Sequence, residues 1–230
     1  MHKLLHCFNN FHVFSINQGT YLNQLVHNKN ILYAPLALKN YGVKKPRSRH
    51  FNTTNFLTFG HIRQYKRVDL LIEAAQLLYE ETGFDFVVTI AGTCVDWTQY
   101  EKIIRYPHLF DLNIGYISDS EVSTLFSNAD YLVLPYQDLA QSGAITVAFN
   151  YNVPVITSDI PQFIEFVSNG QNGFIFKSED VNSLKNILKG CLNMDANLYD
   201  SLIDTTKQFV IDNYSLSSIC DRYIEYFNKI

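Results

Sequence analysis

A chain of 230 residues with 47% apolar side chains, 17 Phe and 15 Tyr can bury a sizeable core, in one large or two small domains, and is not a disordered segment. Its net charge of −4 argues against general nucleic-acid binding, which draws on an excess of cations against phosphate. Four cysteines (Cys7, Cys94, Cys191 and Cys220) without metal-ligand spacing read as reduced thiols of a cytoplasmic protein, and no apolar run reaches membrane-spanning length.

The first eight residues are stopped by Asn9-Asn10 and make a poor signal peptide, so the expected location is the cytoplasm, with peripheral contact at the inner membrane face left open. Phe11 to Ile16 reads as a strand, Gly19 to His27 as a helix and Ile31 to Leu38 as an extended segment. His12, within the first of these, reads as a satisfied core histidine. Lys44-Lys45-Pro46-Arg47-Ser48-Arg49-His50 is basic, lacks periodicity and reads as a linker or exposed loop.

From Asn55 onward strands and helices alternate. Asn55 to Phe59 reads as a buried strand, and Val68 to Leu78 as a helix with apolar residues at i, i+3, i+4 spacing. Asp85 to Gly92 is a mostly apolar strand and Asn113 to Ile117 a short one. Ser118 caps the next helix, with Glu121 as its capping-box partner. Asp130 to Pro135 is a strand, Ser142 to Tyr151 a helix, Pro154 to Asp159 a strand, Pro161 to Asn169 a short helix and Gly173 to Phe176 the last strand. Three amphipathic helices follow, over Val181–Leu192, Leu198–Asn213 and Ser215–Ile230. The pattern predicts an α/β fold, a Rossmann-like parallel sheet with helices on both faces and a helical C-terminus.

In such a sheet four turns gather at the carboxyl edge, where ligands bind. The first carries Gly60 with Arg63, Lys66 and Arg67. The second is Ala91-Gly92-Thr93, the third Gly115-Tyr116-Ile117-Ser118, and the fourth Tyr136 to Gly143. Free N–H groups where Ser142 and Gly143 open a helix, facing Arg63 and Lys66, suit a phosphate or diphosphate. A solvated basic turn and an ordinary helix cap are the alternatives for each segment taken singly.

The order and spacing of these stretches resembles the retaining GT-B glycosyltransferases of family 4 (glycosyl transferases group 1). The stretches are Phe59-Gly60-His61-Ile62-Arg63-Gln64-Tyr65-Lys66, Gly115-Tyr116-Ile117, Ala129 to Tyr136, Gln141-Ser142-Gly143, Val153 to Asp159, Glu165 and Asn172-Gly173-Phe174. The resemblance implies that residues 51–230 are a nucleotide-sugar-binding domain, the C-terminal half of a GT-B enzyme, and that residues 1–50 are the remnant of an N-terminal acceptor domain and a linker. It implies catalytic roles for Arg63 and Lys66 on the donor diphosphate. Donor contacts follow from Gly60, Gly92, Thr93, Tyr116, Ile117, Ser142, Gly143 and Glu165. No metal and no cofactor are implied, the nucleoside-diphosphate sugar being a substrate. The acceptor would be a glycan or lipid-linked saccharide in polysaccharide biosynthesis.

The sequence departs from the family pattern in three places. Many members carry two glutamates eight positions apart in the fourth turn and its helix, where this chain has Leu139 and Val147. Its Gln141-Ser142-Gly143 matches a Ser-Gly variant of that loop, and Asp138 is either a partial substitute for the first acid or a turn residue. Arg67 stands where a glycine usually follows the lysine. Fifty residues cannot build an acceptor domain, so a separate chain supplies that half or the product is truncated. Hence the alternative to an active transferase is a non-catalytic donor-binding subunit needing a partner.

Overall fold

The computed structural model describes residues 2–43, 53–139 and 141–230. The expected linker at 44–50 and Ala140 of the fourth turn lie outside them. In chain order the elements are α1 (His2–Leu5), β1 (Asn10–Val13), α2 (Ile16–Leu25), β2 (Asn30–Tyr33), β3 (Thr54–Phe59), α3 (Val68–Thr82), β4 (Phe86–Gly92), α4 (Thr98–Glu101), β5 (Phe110–Ile114), α5 (Asp119–Asn128), β6 (Tyr131–Leu134), α6 (Gly143–Asn150), β7 (Val155–Ser158), α7 (Pro161–Ile164), β8 (Gly173–Phe176), α8 (Val181–Leu192), α9 (Ala196–Tyr214) and α10 (Leu216–Phe227).

Six strands form one sheet in the order β5-β4-β3-β6-β7-β8, and every neighbouring pair is parallel. The chain builds outward from β3 to β5, then crosses to β6 and builds the other way. This reversal between β3 and β6 opens a crevice at their carboxyl ends. Adjacent residues of a strand serve opposite faces. Phe56 packs with Leu71, Leu78 and Ile90 under α3 and α8, while Leu57 packs with Phe126, Leu132 and Val147 under α5 and α6. Both faces are therefore apolar and covered, as the near-continuous apolar strands require.

Several buried polar groups are matched. The Asp130 carboxylate accepts the Asn55 N–H at 2.8 Å. The buried Gln76 side chain donates to Ile103 O and accepts the N–H groups of Arg105 and Tyr106. The capping box of Ser118 and Glu121 is formed in full. No disulfide joins the four cysteines.

Three expectations shift. The strand expected at Asn113–Ile117 is β5, over Phe110–Ile114, an edge strand whose polar Asp111 and Asn113 mask it in the sequence. The Phe11–Ile16 strand ends at Val13, because Ser15 caps α2 by accepting the Gln18 N–H. The helix expected at Pro161–Asn169 ends at Ile164.

β1, α2 and β2 form a separate parallel β-α-β unit. His12 belongs to it and is not core: its side chain is exposed, with Nε2 donating to Ala34 O at 3.1 Å and the ring against Phe14 and Tyr223. α10 has no buried residue and lies against β2 and α9. The Tyr226 hydroxyl donates to Asn30 O at 3.4 Å.

Candidate functional site

The four turns meet at the carboxyl edge of the sheet. Gly60 ends β3 at φ 105°, a conformation that favours glycine, and its N–H donates to Ala91 O at 2.9 Å. At the end of β4, Gly92 lies at φ 141° so close to Gly60 that a Cβ there would overlap the Gly60 carbonyl. Gly92 O in turn accepts the Gly115 N–H at 3.0 Å. Three strand ends are thus tied together through backbone with no side chain between them.

Residues 61–67 fold back over this platform as a loop and a single 3-10 turn at Gln64–Lys66. Two hydrogen bonds fix the loop: Ile62 N–H donates to Thr93 O at 2.7 Å, and Gln137 N–H donates to Tyr65 O at 2.8 Å. The second joins the first turn to the fourth across the β3/β6 reversal. Thr93 Oγ1 bonds the His61 ring.

Lys66 points inward. Its Nζ lies 5.0 Å from the centroid of the Tyr136 ring and 3.1 Å from where a Cβ on Gly60 would stand. It has no acidic partner among the described residues. Burial, and then the nearby Arg63 guanidinium, lower its pKa from 10.5 to about 8. Arg63 is exposed and lines an open cleft of about 550 Å³ between the loops after β3 and β4, with His61, Asp96 and Tyr100. Arg67, the third cation of this turn, is held elsewhere by Asp69 at 3.1 Å and Glu179 at 2.8 Å. It adopts φ 49°, ψ 45°, which explains the usual glycine at that position.

Across the crevice Tyr136 is buried, and burial together with the neighbouring Tyr65 pushes its phenol pKa up. The Ser142 hydroxyl beside it acts the other way, although the two hydroxyls fall short of hydrogen-bonding geometry. Ser142 is 7% exposed, its Oγ has no hydrogen-bond partner, and it does not cap its own helix. Gly143 begins α6. Lys66, Tyr136 and Ser142 therefore stand in series, joining the basic turn to a helix start that carries no acidic residue in its first turn.

The remaining predicted residues lie as follows. Tyr116 is 83% exposed and Ile117 half-buried at the third turn. The two carboxylate oxygens of Glu165 accept the N–H groups of Ile16 and Asn17, at 2.5 and 3.1 Å, and so hold the start of α2. Leu139 and Val147 are buried in the core on the α6 side, and Asp138 is exposed. Tyr136 falls in the fourth turn of the sequence reading, but its place beside Lys66 escapes that reading; so does Lys39, which lies far away in sequence yet has its Nζ 3.6 Å from where a Cβ on Gly143 would stand.

Residues 44–209 match the family model described as glycosyl transferases group 1. This chain belongs to that family. As a glycosyl transferase of group 1 it is 24% identical over 189 residues to the poly(ribitol-phosphate) alpha-N-acetylglucosaminyltransferase of Staphylococcus aureus, covering 79% of this chain and 37% of that protein. It superimposes on the crystal structure of S. aureus TarM with a TM-score of 0.81 at 19% identity, covering 99% of this chain and 45% of TarM. The pneumococcal O-GlcNAc transferase GtfA, solved with UDP and GlcNAc, gives a TM-score of 0.79 at 16% identity, with 99% and 46% covered. The chain thus spans less than half the length of these relatives, and the likeness establishes the fold of one half of a GT-B glycosyltransferase.

Proposed function

We propose that the crevice binds a nucleoside-diphosphate sugar, and that this chain is the donor half of a transferase acting on a glycan or lipid-linked acceptor. The observation that carries this reading is Lys66. An ammonium without an acidic partner is partly buried beside a second cation and across a tyrosine ring from an open helix start, an arrangement that an anion would stabilise from both sides. Arg63 and Lys66 would neutralise the diphosphate as it leaves, with no metal needed for that task and with retention at the anomeric carbon. Gly60, Gly92 and Gly143 would keep side chains out of the way, Tyr116, Ile117 and Thr93 would meet the donor, and Ser142 would offer a hydroxyl.

The names of the relatives favour UDP-N-acetylglucosamine as the first donor to try. Calorimetric titration with UDP, GDP and their sugars tests the reading. Binding by the wild type that is lost in Arg63→Ala/Lys66→Ala is expected, and undiminished binding by that variant overturns it. Retention is checked by the anomer formed, and metal independence by unchanged turnover in chelator. A cytoplasmic location fits a nucleotide-sugar donor, and no helix among the described residues is long and apolar enough to cross a membrane.

A second reading has its own observation. Leu139 and Val147 are packed into the core where many members carry glutamates, so no carboxylate grips the donor from those positions. The chain would then be a non-catalytic donor-binding subunit needing a partner. Normal turnover by the isolated chain would overturn this second reading.

A further inference from the structure

The turn after β3 carries Arg63, Lys66 and Arg67, and the fold treats them differently. Arg67 is taken up by Asp69 and Glu179. Arg63 is exposed beside the open cleft. Lys66 stands over an aromatic ring, with its Nζ 5.0 Å from the centroid of Tyr136. A lysine side chain held by nothing is spread over many rotamers. No carboxylate among the described residues pairs with this one, and the ring face below it carries partial negative charge.

Tyr136 is fixed without help from Lys66. It follows β6 and is 2% exposed. Its carbonyl accepts the hydroxyl of Ser158, at the end of β7, at 2.5 Å. Its ring meets Tyr65 edge-on at 5.9 Å between centroids and lies 5.6 Å from that of Phe163 in α7. The next residue, Gln137, donates its N–H to Tyr65 O at 2.8 Å. The platform is therefore set before any ligand arrives, and it is tied to the same turn that bears Lys66.

A ring suits this task better than a carboxylate. An acid within reach would pair with Lys66, as Asp69 and Glu179 pair with Arg67, and an arriving anion would have to break that pair. A ring face directs a cation through its quadrupole and leaves the charge uncancelled. We propose that Tyr136 is a positioning residue for Lys66, its ring holding the ammonium in the crevice until the donor diphosphate takes it over. This rests on the donor reading above and gives a role to a residue outside the basic turn and the helix start.

The test is a double-mutant cycle on full chains, with UDP titrated into wild type, Tyr136→Leu, Lys66→Gln and the Tyr136→Leu/Lys66→Gln variant. Tyr136→Leu is expected to weaken UDP by about three- to tenfold, the scale of a part-buried cation–ring contact. Tyr136→Phe, which keeps the ring, should retain most of the wild-type affinity. In the Lys66→Gln background Tyr136→Leu should cost nothing further. A loss of equal size in both backgrounds overturns the proposal, since it marks a structural effect, and so does no loss in either; both outcomes leave the donor reading standing. Should Tyr136→Leu not fold, or Lys66→Gln not bind measurably, NMR of the wild type decides. The ε-methylene protons of Lys66, assigned by their absence in Lys66→Gln, are expected upfield of those of other lysines through the ring current and should move back when UDP is added. Unshifted protons in the free protein overturn the proposal. If wild type binds none of UDP, GDP or pyrophosphate, the donor reading itself fails and takes this inference with it.

Discussion

The ammonium of Lys66 sits 5.0 Å above the ring of Tyr136, and nothing acidic among the described residues shares its pocket. The ring face offers the charge some compensation, but burial and Arg63 still bring its pKa down to about 8. Near pH 8 Lys66 is therefore only part-protonated and can gain a proton on binding an anion.

Binding of a diphosphate should raise the Lys66 pKa, so protons are taken up at and above pH 8. Affinity should fall as pH rises through that value. Calorimetry of UDP binding at pH 8 in buffers of different ionisation heat measures the uptake, which should vanish in Lys66→Gln.

The same shift has a stability consequence with a definite sign. The folded pKa is depressed below its unfolded value near 10.5, so the folded state carries a penalty while both states are protonated. That penalty lifts as pH rises from about 8 toward 10.5, by up to about 3 kcal/mol. Urea unfolding of wild type minus Lys66→Gln over pH 7 to 10 isolates it. A difference that does not change with pH would contradict the burial of this charge.

Gly92→Ala should destabilise by about 2 kcal/mol or more, because its Cβ would overlap the Gly60 carbonyl in a backbone conformation that disfavours side chains. Gly83→Ala, also at positive φ but with open space around it, should cost about 1 kcal/mol. Chemical denaturation of the two variants tests the ranking, and loss of UDP binding should accompany Gly92→Ala alone.

Arg67 combines a left-handed backbone with two ion pairs. Arg67→Gly removes strain of about 1 kcal/mol and forfeits exposed pairs worth roughly 0.2–1 kcal/mol each after solvent screening, so its stability should match wild type within about 1 kcal/mol. Arg67→Ala loses the pairs and keeps the strain, and should be the least stable of the three. Melting temperatures measured side by side decide the order.

Glu165→Gln should loosen the start of α2 by about 1 kcal/mol, since the carboxylate there accepts from both Ile16 and Asn17. Hydrogen exchange at those two amides should quicken, while that of β3 and β6 stays as it was.

What was legible in the sequence is what neighbours along the chain decide. Ser118 and Glu121 signal their helix because the capping box is local, and the runs ending at Gly60 and Gly92 signal strands because both faces of the sheet are apolar. β5 was misplaced because an edge strand tolerates Asp111 and Asn113. α2 began early because Ser15, flanked by Phe14 and Ile16, looks like strand until its side chain is seen on the Gln18 N–H. The amphipathic pattern of α10 shows an apolar face without naming what covers it. Arg63 and Lys66 stand out by their spacing after Gly60, but no local signal places Lys39 against Gly143 or Glu165 against α2. Those contacts arise only when segments more than a hundred residues apart meet.

The hydrogen bond between Tyr226 and Asn30 joins residues 196 positions apart. At roughly 5–20 residues per second, a ribosome needs about 10–40 s to travel that distance. The β1-α2-β2 unit leaves the ribosome well before α10, which covers it, has been made. Between those moments its apolar surface is open to chaperones, so expression yield should respond to mutations in α10 that leave the crevice untouched.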